Sequence, residues 1–170
     1  MKYILFMDVQ KSNIKTHAAQ TVAKRIIDCA YQLKERKDVY SFATRIDPVL
    51  ESDEADGELF SCLGSLVNTR VNRLRMLSTF PAITRKMSEE GMSPEEIFVC
   101  GYETDGIVMF AALLLKAIHP NAKVSIIREL SYASSHQEGL AALGVADRLC
   151  VSTVAVKDAL GIRYSVPNEV

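Results

Sequence analysis

The sequence lacks the features of several protein classes. Its formal net charge is −1, and no basic face carries interleaved aromatic residues, which argues against nucleic acid as a partner. The first apolar run, 3-YILFM-7, ends at Asp8, and the longer run over 106–118 contains Lys116. Neither fits a signal peptide or a membrane span. We therefore expect a cytoplasmic protein with no membrane segment.

Cysteine and histidine are too scattered to build a cross-linked or metal-bound framework. None of the four cysteines is part of a C-x-x-C pair, and three of them lie in apolar surroundings, which predicts buried thiols. The three histidines show no paired ligand spacing, so we expect no metal and no cofactor. These residues are Cys29, Cys62, Cys100, Cys150, His17, His119 and His136.

What the chain does contain is an alternation of apolar runs and helical stripes. With 48% apolar and 24% charged residues, the chain is predicted to form one globular domain over 1–170. Short helix and strand pieces are both compatible with 59–80, and the acidic stretch 46–58 is predicted to be a lid or linker loop. The predicted strands are 2–9, 38–45, 96–102, 122–128 and 147–151, and the predicted helices are 16–34, 81–91, 104–118, 134–144 and 153–161.

This alternation predicts an α/β fold with βαβ units. Nearly continuous apolar strands indicate a parallel sheet covered on both faces, which is a three-layer α/β/α, Rossmann-like arrangement. Ligands of such sheets bind outside the carboxyl ends of the strands. This edge is predicted to bring together Asp8, 44–45 and 102–104.

Two features at this edge could carry chemistry. Asp8 ends an apolar strand, so its carboxylate could be desolvated enough to serve as a general base, or it could cap a loop or pair with an arginine. The segment 101-GYETDG-106 leads from a strand into a helix whose first N–H groups could hold an anion. The alternative there is an ordinary cap by Thr104, with Asp105 favouring the helix start.

The ordered set of motifs resembles the isochorismatase-like hydrolases, the family of nicotinamidases, isochorismatases and N-carbamoylsarcosine amidohydrolases. Order and spacing agree over nearly the whole chain. The matching segments are 4-ILFMDVQKS-12, 41-SFATRIDP-48, 78-STF-80, 97-IFVCGYETDGIVMFAA-112 and 124-VSIIRELSYASSHQEGLAAL-143.

The resemblance implies a site built on an aspartate, a lysine and a cysteine nucleophile. Asp8 matches the aspartate, but Ile107 stands at the nucleophile position and Leu74 at the lysine position. A shift of one residue would place Arg73 or Arg75 there, and arginine binds anions but does not give up a proton as lysine does. The other implied pocket positions are Gln10, Arg45, Arg75, Tyr102, Glu103, Thr104, Asp105 and Gly106.

Further properties follow from the resemblance. It implies a cis peptide at Tyr102–Glu103 and assembly into homo-oligomers. It also implies, for nicotinamidase-type relatives, a metal held by an aspartate and two histidines, and the segment with Asp47 and Pro48 has no histidine. No other cysteine is expected to replace the missing nucleophile, because Cys100 lies inside a strand and no cation lies near Cys62 in sequence.

Three functions remain open on the sequence. The first is a catalytically degenerate relative that retains a small-molecule pocket or an interaction role. The second is an active hydrolase of a small amide or vinyl ether that uses rearranged residues around Asp8, with Glu103 and Asp105 as neighbouring carboxylates. The third is a structural subunit, because the helix 104–118 is apolar on nearly every face.

Overall fold

The computed structural model describes residues 1–46, 58–73, 80–89 and 93–164. Predictions for 47–57, Leu74, Arg75 and Gly91 lie outside these ranges. Within them, the strands are β1 (Lys2–Met7), β2 (Val39–Ile46), β3 (Thr69–Arg73), β4 (Glu96–Tyr102), β5 (Lys123–Tyr132) and β6 (Ser152–Val154). The helices are α1 (His17–Leu33), α2 (Leu63–Leu66), α3 (Phe80–Glu89), α4 (Met109–Ile118), α5 (His136–Arg148) and α6 (Val156–Leu160).

The described strands form one parallel sheet in the order β3-β2-β1-β4-β5-β6. The chain thus moves outward from β1 on one side and then returns to build the other side from β4. The carboxyl ends of β1 and β4 are neighbours at the point where the order reverses. This is the place where open α/β sheets bind ligands.

Side chains of β1 alternate between two apolar cores, one on each face of the sheet. Ile4 and Phe6 pack on the face covered by α1, α2 and α6. Tyr3, Leu5 and Met7 pack on the face covered by α3, α4 and α5. Since successive residues of a strand point to opposite faces, this alternation shows the sheet buried on both sides. The predicted three-layer α/β/α, Rossmann-like fold is confirmed.

Several element predictions need adjustment. The region 59–80, which the sequence left open, contains the short helix α2 followed by β3. The strand predicted over 122–128 extends to Tyr132. In the part of the chain that is described, no helix is both long enough and apolar enough to cross a membrane.

The strand predicted over 147–151 is wrong, because α5 continues to Arg148. The helix then closes with Cys150 in the left-handed region at φ 64°. The N–H of Val151 donates to the carbonyl of Ala146, and the N–H of Cys150 donates to that of Asp147, which is the Schellman pattern. Glycine normally occupies this position. Because a cysteine stands there instead, the end of the helix could not be predicted from the sequence. The last helix accordingly begins at Val156, after β6, and not at residue 153.

Gly101 allows β1 and β4 to meet closely at the carboxyl edge of the sheet. It pairs with Met7 and has φ of 123°, a conformation that side chains with a Cβ rarely adopt. A Cβ at this position would lie 2.1 Å from the carbonyl oxygen of Met7. Since the contacted atom is backbone, no rotation of a side chain can relieve the clash.

We predict that Gly101→Ala lowers the free energy of unfolding by about 3 kcal/mol or more, because it adds both a clash and a disfavoured φ. Urea denaturation followed by circular dichroism measures the change. Gly144→Ala is the matched control, since a Cβ there has no neighbour within 4 Å. Alanine is a better helix former, so the control variant should gain about 1 kcal/mol. Equal stability of Gly101→Ala and the unmodified chain would contradict the interpretation.

Candidate functional site

Asp8 lies buried at the carboxyl end of β1. It follows the strand directly, has φ of 46° and is 1% exposed. Its carbonyl oxygen accepts hydrogen bonds from the N–H of Gln10 at 2.8 Å and from Asn13 Nδ2 at 2.9 Å, so the loop turns tightly around it. The backbone of Asp8 is therefore fixed, and its side chain is buried away from bulk water.

Thr44 of β2 binds Asp8 twice. The N–H of Asp8 donates to Thr44 Oγ1 at 3.1 Å, and the Thr44 hydroxyl donates to Asp8 Oδ1 at 2.9 Å. Thr44 itself is fully buried. The predicted meeting of Asp8 and Thr44 at one edge of the sheet is thus observed, and this pair orients the carboxylate.

The segment after β4 is a tight turn and not a simple helix start. The peptide bond Tyr102–Glu103 is cis, at the bond that the family resemblance implies. Residues Thr104–Val108 form one π-helical turn, within which Gly106 has the non-helical angles φ −119° and ψ −114°. The carbonyl of Glu103 accepts from the N–H groups of Gly106 and Val108. We call Glu103–Val108 the elbow.

The expected cap by Thr104 is wrong. No side chain caps the elbow or α4, which begins at Met109 directly from helical backbone at Val108. The π turn already gives the first N–H groups carbonyl partners, so a hydroxyl cap is not required. Asp105 lies in this turn, and its Oδ1 is buried with no hydrogen-bond partner.

Ile107, at the implied nucleophile position, belongs to the apolar core. Its exposure is 6%, and it packs in the same cluster as Met7, Val108 and Ala111. An alkyl side chain offers neither a lone pair nor a proton for catalysis. The elbow therefore carries a buried hydrophobic side chain at the position that the resemblance implies for the nucleophile.

The other predicted pocket residues lie in different surroundings. Gln10 and Tyr102 are buried, and the Tyr102 hydroxyl donates to the carbonyl of Ala19 at 2.5 Å. Arg45 binds Asn72 Oδ1 through Nε at 2.8 Å and lines a cavity of 330 Å³ beside α2. Thr104 lines a separate cavity of 470 Å³ beside α5. Glu103 is exposed, whereas Asp105 and Gly106 are half-buried.

Two of the cysteines are buried and two are exposed. Burial raises the pKa of Cys29 to about 12 and holds that of Cys100 well above its usual range, so both thiols stay protonated. The prediction of three buried thiols is wrong, because Cys62 and Cys150, the latter in the left-handed turn after α5, are both exposed. Cys62 shares the 330 Å³ cavity with Arg45 and Arg70, two cations that sequence proximity did not reveal.

The histidines do not form a metal site with the described carboxylates and thiols, among which no group of three potential ligands occurs. His17 and His136 are exposed at the starts of α1 and α5. His119 follows α4, where its Nε2 is buried with no partner and desolvation lowers its pKa. The described residues thus do not fit the metal that nicotinamidase-type relatives are implied to hold.

Comparison with known proteins finds solved structures with the same fold but low sequence identity. No known family matches the sequence, and no curated protein matches it. An isochorismatase-like hydrolase from Alkaliphilus metalliredigens matches with a TM-score of 0.74 and 12% identity, over 94% of this chain and 96% of that one. The nicotinamidase of Staphylococcus aureus matches with a TM-score of 0.74 and 17% identity, over 89% of this chain and 96% of that one.

A third match is an octameric hydrolase of unknown specificity from Escherichia coli, with a TM-score of 0.72 and 12% identity over 91% of this chain and 74% of that one. Together these structures show that the chain has the fold of the isochorismatase-like hydrolases, as the resemblance in sequence implies. At identities this low, the matches show the architecture only. Activity has to be inferred from the residues themselves.

We predict that Thr44→Val lowers the free energy of unfolding by about 2 kcal/mol, because Asp8 loses a buried hydrogen bond at both its N–H and its carboxylate. Urea denaturation at neutral pH measures the loss. Thr44→Ser is the matched control, since it keeps the hydroxyl and removes one methyl group, a loss of about 0.8 kcal/mol. A valine variant as stable as the serine variant would show that the hydroxyl does not hold Asp8.

Proposed function

We propose that this chain is a catalytically degenerate member of the isochorismatase-like hydrolase family and that it acts by binding instead of by turnover. The observation that supports this most strongly is the buried Ile107 at the nucleophile position of the elbow. Covalent hydrolysis in such a site depends on the nucleophile, and removing it from a catalytic triad costs about 10⁶-fold in rate.

Neither buried cysteine offers a replacement for the nucleophile. Cys100 lies within β4, fully buried, and its Sγ donates to the carbonyl of Leu5 at 3.6 Å. Cys29 is buried on the opposite face of the sheet from Ile107. Both thiols lack the thiolate character that attack on a carbonyl requires.

The amine of the implied site is also missing. Leu74 stands at the lysine position, outside the described residues, and the one-residue alternatives Arg73 and Arg75 would supply a permanent cation. Asp8 is therefore the retained member of the implied set of three. A buried carboxylate fixed by Thr44 suits a positioning or ligand-binding role as well as an acid–base role.

The second candidate is a hydrolase that activates water through carboxylates. It is favoured by the buried Asp8 and by Asp105, whose buried Oδ1 lacks a hydrogen-bond partner. A carboxyl group held away from water can serve as a general base toward a small amide or vinyl ether. This candidate and the first differ in one measurable property, which is turnover that depends on Asp8.

Assembly into homo-oligomers is part of the same proposal. Phe110 and Ile118 of α4 are 46% and 43% exposed, Val145 of α5 is 46% exposed, and Leu149, which directly follows α5, is 53% exposed. These two helices contact each other on one face of the sheet. Apolar side chains on adjacent helices are typical of a surface that meets another subunit. The octameric hydrolase from Escherichia coli shows that this fold can assemble.

We predict that the chain releases no product above the buffer rate from nicotinamide, an N-carbamoyl amino acid or isochorismate, because the elbow holds no nucleophile. Ammonia release and chromatography of the products provide the measurement, with the nicotinamidase of Staphylococcus aureus run in parallel to validate the assay. Turnover by the unmodified chain that Asp8→Asn abolishes would contradict degeneracy and support the water-activating hydrolase.

We predict that light scattering after size-exclusion chromatography gives a mass of at least two copies and that Phe110→Glu shifts this mass toward one copy. A charge buried at a subunit contact is left without water or a partner, which weakens association. Tyr31→Glu on α1 is the control, because Tyr31 is 70% exposed and lies on the other face. A monomeric unmodified chain would overturn the proposed interface.

A further inference from the structure

A cavity of 470 Å³ opens beside the carboxyl end of β5, and neither Asp8 nor Ile107 belongs to its lining. Its volume lies in the range of pockets that enclose small organic ligands. The walls come from α1, the elbow, β5 and α5. Residues that determine its chemistry are Ala18, Thr104, Arg128, His136, Leu140 and Leu143.

A bulge in β5 places Arg128 at this cavity. The pairing of β4 with β5 moves from Val99 opposite Ile126 to Gly101 opposite Ser131, which is two residues along β4 and five along β5. Three additional residues therefore leave the ladder, and the Ser131 hydroxyl closes the bulge by donating to the carbonyl of Ile127 at 2.8 Å. Bulges commonly redirect a side chain toward a site.

Glu129 is held away from this cavity by a neighbouring helix. Its Oε2 accepts the N–H of Val156 at the start of α6 at 3.1 Å. Its other oxygen lies 3.8 Å from Arg128 Nη2, beyond normal hydrogen-bond distance. The guanidinium of Arg128 thus keeps donors that can bind an anion in the planar, two-pronged manner of arginine.

The charge of the lining favours an anion. No residue that lines the cavity is acidic, while Arg128 contributes a cation and His136 an imidazole N–H. His136 is also the first residue of α5, so the positive end of a helix of 13 residues faces the same space. Hydroxyl groups of Thr104, Ser131 and Ser134 add neutral donors.

The remaining walls are apolar and firmly placed. Leu140 and Leu143 lie on the α5 face that lines the cavity, and Leu140 is 55% exposed, which leaves apolar surface for a ligand to cover. Gly139 lets the loop after β5 approach, because a Cβ there would lie 2.8 Å from that of Ala133. The ring of Tyr132 packs 5.4 Å from that of Tyr102, and its hydroxyl lies 3.2 Å from Thr16 Oγ1.

We propose that this cavity is a binding site for a small organic anion, with a carboxylate or phosphate group on Arg128 and His136 and an aromatic or short aliphatic body against Leu140 and Leu143. The site does not depend on hydrolysis at the elbow, because neither Asp8 nor Ile107 lines it. It therefore stands whether or not the chain proves to turn over a substrate.

The test is a titration of the ¹⁵N-labelled full chain with phenylacetate, phenyl phosphate and hexanoate, each at millimolar concentration, observed by NMR. We expect at least one of the three to shift the amide signals of Ser131, Ala133 and Gly139 in a saturable way. The neutral 2-phenylethanol should bind about tenfold more weakly or worse, since it lacks the charge that Arg128 recognises.

Two pairs of variants locate the binding. Arg128→Gln should weaken binding of the responding anion about tenfold or more, and Arg148→Gln, an exposed arginine of α5 outside the cavity, should leave it unchanged. Ala18→Phe should fill the cavity and abolish binding, whereas Gln20→Phe on the same helix should not.

Three results would overturn the proposal. The first is that none of the three anions binds. The second is that the shifts cluster away from β5 and α5, for example around Asp8. The third is that Arg128→Gln binds as tightly as the unmodified chain while its spectrum shows an intact fold. A failure of this kind leaves the turnover assays untouched, so the two proposals are judged separately.

Discussion

The carboxyl edge of the sheet depends on the backbone of Gly101 lying directly against the backbone of Met7. Because no Cβ separates them, β1 stays paired with β4 up to Met7, the last residue of β1. Asp8 then leaves β1, and Tyr102 leads from β4 into the elbow, at the same height on neighbouring strands. This close approach brings the carboxylate and the elbow together at the point where the strand order reverses, so one small residue sets the geometry of the site.

The parts of this fold that follow repetitive patterns could be predicted from the sequence. Apolar runs such as 2–9 and 96–102 indicated buried strands, and the stripe over 16–34 indicated α1. Parts that depend on a single unusual backbone conformation could not be predicted from the sequence. The Schellman turn could not be recognised from the sequence because Cys150 stands where glycine is expected. The π turn could not be recognised because Thr104 and Asp105 also suit an ordinary helix start.

The candidate site, like the fold, could be predicted only where it follows from the ends of the strands. Asp8, Thr44 and the elbow lie at the ends of strands, so a parallel sheet must bring them to one edge. The lining of the larger cavity depends on a bulge whose extra residues are recognised only from the partner strand, and Arg128 therefore carried no signal in sequence. Gln10 and Tyr102, which the family pattern places at the pocket, are both buried, and Tyr102 packs in the apolar core beside α1.

The molecule thus has the fold of the isochorismatase-like hydrolases, with an alkyl side chain where the resemblance implies a nucleophile. Thr44 holds Asp8 in place, and Ile107 packs in the apolar core at the position that the resemblance implies for the nucleophile. If the chain acts by binding, as we propose, the cavity at β5 supplies a cation, helix-end polarity and apolar walls for a ligand. That proposal links structure to function through recognition of a ligand, without a covalent step.

A crystal structure of the chain soaked with nicotinamide tests the central claim most directly. We expect Ile107 to be enclosed by the core residues of β1 and α4, with no cysteine sulfur or lysine nitrogen within bonding or hydrogen-bonding distance of a bound amide. An amide seated beside Asp8 with a thiol or an amine aimed at its carbonyl carbon, supplied from elsewhere in the chain, would contradict the account.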